Sequence, residues 1–229
     1  MEKYTISERL KRVASYVPEG ARLVDVGSDH AYLPIYLIKL NRLEFAVAGE
    51  VVEGPFQSAV HNVEKEGLAD QIQVRMANGL AAVTAADQID TVVIAGMGGR
   101  LIADILGAGL DQVPQVKRLI LQPNNREDDL RAYLLAQGFD LVAEEILEEA
   151  GKTYEILVAQ AGDPKWDEKD LRFGPILRTV QDPVFRKKWS GERDNLSYAL
   201  SQVPADNEAA RERLEKRIAE IEEVLNVSQ

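Results

Sequence analysis

Residues 140–160 read DLVAEEIL-EEAGK-TYEILVAQ, and the way this stretch pairs decides the fold. Two extended runs, 140–147 and 153–160, flank a short link rich in turn-forming residues. A parallel crossover needs roughly a dozen residues or more, usually a helix, whereas an antiparallel pair closes through a few. The two runs are therefore expected to form a hairpin.

Upstream, short apolar runs alternate with helical patterns. Strands are predicted over 21–26, 44–49, 72–76, 89–95 and 117–122, and helices over 33–40, 55–66, 100–106 and 126–137, with a short helical turn from Leu80. Strands that are apolar on both faces and alternate with helices define a parallel sheet covered on each side. Before them, Ile6, Leu10, Val13, Ala14 and Val17 form the apolar stripe of an opening helix, which Pro18-Glu19-Gly20 breaks. The expected architecture is a doubly wound parallel sheet that ends in an antiparallel hairpin.

Downstream the composition shifts at Gly162-Asp163-Pro164. We place a domain boundary there, with an α/β ligand-binding domain over 1–163 and a helical module over 164–229. Asp182-Pro183 has the form of an N-cap followed by proline at the first helical position. Phe185, Trp189, Leu196, Leu200 and Val203 fall on one face of that helix, which Pro204 stops. A second helix starts near Asp206, and its Leu214, Ile218, Ile221 and Leu225 are spaced as a coiled-coil-like seam. The module is predicted to be an antiparallel helical hairpin.

The chain has no cysteine, which excludes disulfides, thiolate zinc sites and cysteine nucleophiles and fits a cytoplasmic protein. Only two histidines occur, so no metal site is expected. No apolar run approaches the roughly 20 residues that span a bilayer, and MEKYTISERLKRVASYV has no signal-peptide pattern. A net charge of -11 argues against a protein that coats nucleic acid without specificity.

In an open α/β sheet the ligand sits at the carboxyl ends of the strands. The first strand runs into Asp25, Gly27, Ser28 and Asp29, a D-x-G-x-D pattern. It is not G-x-G-x-x-G, which disfavours a dinucleotide pyrophosphate and hence a nicotinamide oxidoreductase. An acidic loop suits a cofactor with a cationic end, such as the amino and sulfonium groups of S-adenosylmethionine. Glu50, roughly 20 residues on, is placed to accept hydrogen bonds from ribose hydroxyls. Asn78-Gly79 after the third strand could read an adenine edge or form an ordinary turn. Ala95-Gly96-Met97-Gly98-Gly99 lets backbone pass close to a ligand or a flat base, and no Lys-Ser/Thr pair makes it a P-loop. Gln122 and Asn124 put side-chain amides opposite that loop. His30 reads more readily as a cofactor-loop residue than as a general base. His61 reads as a solvated helix residue.

Together VDVGSDHAYLP (24–34), AGEVVEGP (48–55), IAGMGG (94–99) and LILQPN (119–124) resemble the bacterial tRNA adenine-22 N1-methyltransferase family, TrmK. The terminal hairpin is also similar to the class I methyltransferase sheet, which dehydrogenase Rossmann domains usually lack. The resemblance covers essentially the whole chain. It implies a Rossmann-like domain, a C-terminal coiled-coil hairpin, and methyl transfer from S-adenosylmethionine to N1 of an adenine in the tRNA core. Carried over by position, Asp25, Gly27, Ser28, Asp29, His30, Glu50, Asn78, Gly79, Ala95 and Gly96 would line the cofactor site. Asp29, Tyr32 and Asn124 would sit nearest the target base. Ala-Gly-Met-Gly stands where many amino-directed nucleic-acid methyltransferases carry an N-P-P-Y-type loop, which suits a ring-nitrogen target.

An acidic protein that holds tRNA needs local basic faces. Arg9, Lys11 and Arg12 cluster near the N-terminus, and Arg172, Arg178, Arg186, Lys187, Lys188 and Arg193 lie on the helical module. These are the candidate phosphate contacts, on a chain expected to be monomeric. Two other functions remain open: a small-molecule methyltransferase, which would close a lid over its pocket, and a non-catalytic tRNA-binding protein, which would need no acidic cofactor loop.

Overall fold

The structure is a computed structural model, and it describes residues 5–226. The elements run α1 (Glu8–Ser15), β1 (Ala21–Val26), α2 (Tyr32–Lys39), β2 (Leu43–Glu50), α3 (Glu53–Lys65), β3 (Ile72–Met76), β4 (Thr91–Met97), α4 (Gly99–Gly109), β5 (Arg118–Pro123), α5 (Glu127–Ala136), β6 (Phe139–Glu149) and β7 (Lys152–Ala161). Four further helices close the chain: α6 (Glu168–Phe173), α7 (Leu177–Val180), α8 (Pro183–Gln202) and α9 (Glu208–Asn226).

The strands form one sheet in the order β3-β2-β1-β4-β5-β7-β6. β1 to β5 are parallel, and β7 runs antiparallel to both β5 and β6. β1 lies inside the sheet between β2 and β4, with Leu23, Val24 and Val26 buried, as a strand covered on both faces requires. One face packs under α1, α2 and α3 through residues such as Val13, Leu33, Ile35 and Val63. The other packs under α4 and α5 through Ile102, Leu106, Leu130 and Leu134. Because β1 leads to β2 on one side while β4 and β5 continue on the other, the strand order reverses between β1 and β4, where ligands bind in such folds.

The decisive hairpin is present, and its turn is tighter than the sequence indicates. β6 and β7 continue into the charged link and close through Ala150-Gly151, with Glu149 opposite Lys152. Both turn residues have positive φ, 50° and 74°, as a two-residue hairpin loop with the twist of the strands demands. β4 begins and ends two residues later than expected, and its pairing with β5 slips between Ala95 and Met97, so Gly96 is the bulged residue.

α6 and α7 were not expected from periodicity. α6 is set by a capping box between Asp167 and Asp170, and Phe173 and Leu177 pack with Phe185, Trp189, Leu196, Ile221 and Leu225 in a third core. α8 starts as predicted, with Asp182 accepting from the Phe185 N–H at 2.9 Å. Arg217 of α9 pairs with Glu192, Arg211 donates to Leu200 and Val203, and Arg186 donates to Leu225. As residue numbers rise on α9 their partners on α8 fall, so the two helices form an antiparallel hairpin.

A buried ion cluster ties these helices to the sheet. Arg131 of α5 has no exposed surface and donates to Glu144 at 2.8 Å and Glu155 at 2.5 Å. Glu144 also accepts from the Ile176 N–H at 2.8 Å, and Lys188 of α8 reaches Glu155 at 2.7 Å and Glu127 at 3.1 Å. Burial alone would raise the Glu155 carboxyl, but Arg131 and Lys188 outweigh it and hold it below the ordinary range.

Candidate active site

A cleft of about 280 Å³ opens at the carboxyl end of the sheet. Asp25, Gly27, Ser28, Asp29 and Tyr32 line it from the β1–α2 loop, Ala95 and Gly96 from the end of β4, and Asn124 from the end of β5. Asp25 ends deep in it, 4% exposed, and accepts the Ser28 hydroxyl at 2.5 Å. Burial pushes its carboxyl up to about 7, the neighbouring carboxylates of Glu50 and Asp29 push the same way, and the Ser28 bond opposes them. The site is thus built to want a cation.

The loop after β1 is strained. Asp29, His30 and Ala31 have φ of 41°, 68° and 58°, three non-glycine residues in succession in the left-handed region. Such backbone is held only where its surroundings dictate it, and it concentrates at functional sites. Glu50 supplies part of the hold, since its carboxylate accepts the Asp29 N–H. Asn62 supplies more by donating to the His30 carbonyl at 3.0 Å. Gly27 precedes them at φ 68°, and a Cβ there would come within 2.3 Å of the Met97 side chain.

The facing loop is rigid for a different reason. Buried Gln122 accepts from Gly96 N–H at 3.1 Å and from Arg9, and Asn124 donates to the Gly96 carbonyl at 2.7 Å. The glycine run therefore does not serve a ligand alone. A Cβ on Gly99 would lie 2.2 Å from the Arg126 carbonyl, so the β4–α4 turn needs glycine to pass the β5–α5 turn.

Not every predicted residue meets in the cleft. Glu50 is buried behind the loop, and Asn78 is exposed further along the rim. Gly79 is buried at φ 57°, with Ile105 of α4 within 3.0 Å of where a Cβ would stand. His30 points to a neighbouring depression that His61 and Tyr32 share; its ring stacks on Tyr32 at 5.2 Å, and it pairs with Asp29 at 3.3 Å. Arg9 lines the cleft itself, its guanidinium 5.3 Å from the centre of the Tyr154 ring. Leu10 of the α1 stripe, Leu33 and Met97 of the quoted motifs, and Tyr154 complete the lining; Tyr154 has no motif around it. A strand residue such as Tyr154 carries no local signal, and only the tertiary fold brings it to the rim.

The basic candidates divide. Lys11 pairs with Glu8 at 2.5 Å and Lys187 with Glu148 at 2.5 Å on the surface, and exposed Arg12 pairs with part-buried Glu145 at 3.4 Å. Arg186 and Lys188 instead turn inward, Arg186 to Gln181 at 2.6 Å and the Leu225 carbonyl, Lys188 to the ion cluster. Their charge holds α8 in place because acidic and carbonyl partners on distant elements reach them first.

The residues present fit S-adenosylmethionine. Its ammonium and sulfonium match the carboxylates of Asp25 and Asp29, its carboxylate matches Arg9, and Glu50 backs the loop that carries Asp29. A Rossmann-like sheet ending in a reversed hairpin, with this acidic loop at its switch point, defines a class I S-adenosylmethionine-dependent methyltransferase. The family model TrmK, tRNA (adenine(22)-N(1))-methyltransferase, matches residues 23–223. The chain is 42% identical to the tRNA (adenine(22)-N(1))-methyltransferase of Bacillus subtilis, over 98% of this chain and 97% of that one. It is similar to the crystal structure of Streptococcus pneumoniae Sp1610 in complex with S-adenosyl-L-methionine, with a TM-score of 0.90 and 56% identity over 97% of this chain and 100% of the other. It is also similar to M. capricolum TrmK in complex with S-adenosyl-homocysteine, with a TM-score of 0.88 and 26% identity over 98% and 99% of the two chains. This chain belongs to the tRNA (adenine(22)-N(1))-methyltransferase family.

Proposed function

We propose that this protein transfers the methyl group of S-adenosylmethionine to N1 of adenine 22 in tRNA. The observation that carries the proposal, in a chain of this family, is the strained acidic loop that sets buried Asp25 beside exposed Asp29 and Tyr32 in one cleft. When bound, the cofactor supplies an electrophilic methyl on a sulfonium.

Adenine N1 has an in-plane lone pair and needs no prior deprotonation, so the residues orient rather than activate it. Asp25 and Asp29 hold the cationic end of the cofactor, Gly27, Ser28, Ala95 and Gly96 offer backbone and small surface around it, and Glu50 fixes the loop and the ribose. Asn78 and Gly79 complete the adenosine side, and His30 holds Tyr32 by stacking. Asp29, whose side chain is 79% exposed, also faces the developing positive charge on the target base. Tyr32 packs on that base. Asn124 keeps the Gly96 turn fixed beneath it. A base stacked in the tRNA core is turned out at a cost of a few kcal/mol.

Residues 1–163 form the catalytic unit, and residues 164–229 form a helical unit that binds tRNA, its α8–α9 seam a coiled coil. Lys11, Arg12 and Lys187 exchange their carboxylate partners for phosphates, since such surface pairs are worth only about 0–1 kcal/mol. Arg9 acts at the cleft, while Arg186 and Lys188 contribute by placing the helical unit. The protein works as a monomer in the cytoplasm, and no described helix is long and apolar enough to cross a membrane.

The test is methyl transfer from labelled S-adenosylmethionine to unmodified tRNA, with nucleoside analysis. The expected product is N1-methyladenosine that disappears when adenine 22 is replaced. Cofactor binding without tRNA methylation would overturn the substrate assignment and bring a small-molecule substrate forward.

A further inference from the structure

A second and larger groove, about 500 Å³, lies beside the cleft between the start of α5 and the helices α6, α8 and α9. Both open at the same end of the sheet. Asn124 lines the cleft and Arg126 the groove, and Tyr154 lines the cleft while adjacent Thr153 lines the groove. Two residues of chain span at most about 7 Å, and Thr153 and Tyr154 point to opposite faces of β7, so the groove begins across the sheet edge within that distance of the cleft.

Three features of the groove are unexplained by folding. Gly191 stands in the middle of α8, where glycine weakens a helix. It is exposed in the groove, and a Cβ there would meet nothing within 4 Å, so no packing demands its smallness. Trp189 is buried with its indole N–H unpartnered, and Arg172 has a buried guanidinium nitrogen in the same condition, among the described residues. Donors of this kind are costly to leave unpaired and call for an explanation. At the rim, Arg126 and Arg217 are about half exposed and pair with carboxylates at the surface, Arg126 with Asp129 at 2.7 Å and Asp128 at 3.8 Å and Arg217 with Glu192 at 3.0 Å.

We propose that this groove seats the sugar–phosphate backbone of the tRNA segment next to the methylated adenine. Bare Gly191 lets the ribose approach the helix, and Arg126 and Arg217 turn from their carboxylates to phosphates. Trp189 and Arg172, which pairs with Glu220, form the floor, while Lys188 stays committed to Glu155. The inference rests on the tRNA reading; the basic pattern of the helical module already marks Arg172 and Lys188, and the groove adds Gly191, Arg126 and Arg217.

The test uses Gly191→Met, whose side chain favours the helix and fills the groove, with Gly191→Ala as a milder step and Arg126→Gln/Arg217→Gln as a charge test. Expected results are a melting temperature equal to or above that of the parent for both Gly191 variants and unchanged calorimetric affinity for S-adenosylmethionine. The KM for tRNA rises at least fivefold in Gly191→Met and less in Gly191→Ala. In the arginine double variant the slope of log affinity for tRNA against log salt becomes shallower by about one to two, since each lost phosphate contact removes roughly 0.7 to 0.9. A tRNA KM unchanged in all three variants, with tRNA still methylated by the parent, overturns the groove and leaves the tRNA reading intact. Weaker competition by inorganic phosphate in the variants with no change in tRNA KM overturns it too, as a site for a free anion. Failure of the parent to methylate tRNA sinks both.

Discussion

Beneath α5, buried Glu144 and Glu155 are bridged by Arg131, and Lys188 bonds Glu155 as well. At the end of β1, Asp25 and Glu50 are buried with a serine hydroxyl and a backbone N–H, and among the described residues neither is paired with a cation. The first cluster is complete as folded. The second lacks its positive charge, and the strained turn at Asp29–Ala31 sits directly on it. Compensated buried charge marks architecture here, and uncompensated buried charge marks the place a cationic ligand completes.

The largest effect should come from breaking the complete cluster. Arg131→Met leaves two buried carboxylates without their central cation and should cost about 3–5 kcal/mol in denaturant unfolding. A loss below about 1 kcal/mol would show that the cluster is not the tie between sheet and helices.

Asp25→Asn should do the reverse. The parent at pH 8 carries an ionised, buried, unpaired carboxylate, so the variant should be at least as stable without cofactor. Its affinity for S-adenosylmethionine should fall on the order of 10- to 100-fold, the worth of a hydrogen bond to a charged group. Calorimetry and thermal melts of the same samples check both halves, and a destabilised variant with unchanged affinity would reverse the comparison.

The pH dependence follows in sign. An unfolded aspartate ionises near 3.8 and folded Asp25 near 7, so between these values the folded state binds more protons. The Asp25 contribution to stability is therefore present in full below about pH 4. It falls as pH rises, by at most about 1.4 kcal/mol per unit, until about pH 7. Subtracting the Asp25→Asn stability curve from the parent curve isolates this slope, and a flat difference would contradict it.

The smallest effect is local. Ser7 caps α1 by accepting the Leu10 N–H at 3.2 Å, and α1 carries Arg9 to the cleft. Ser7→Ala should cost about 1 kcal/mol, read as faster amide exchange in α1 and a modest loss of cofactor affinity. Unchanged exchange there would mean that Gln122 and Tyr154 alone hold Arg9.

What the sequence made legible was whatever local chemistry dictates. β1 and β3 fall where their apolar runs end, the hairpin follows from a link too short to cross over, and α8 begins at Asp182-Pro183. The acidic loop was readable because Asp25, Gly27 and Asp29 are neighbours in the chain. Charge destinations were not readable. Lys187 and Lys188 are adjacent, yet one faces solvent and the other a glutamate on β7. α6 and α7 are too short to show a period, and Gly99 looks like a ligand glycine until its contact with Arg126 is seen. Each of these depends on a partner many residues away.

The most direct test of the incomplete site is the proton balance of cofactor binding, measured by calorimetry at pH 6.5 in buffers of differing ionisation enthalpy. If the cofactor's cation completes the Asp25 site, binding releases most of one proton from Asp25, and Asp25→Asn abolishes that release. Equal proton release in parent and variant would contradict the account, because the buried carboxyl would then be as protonated with the cofactor as without it.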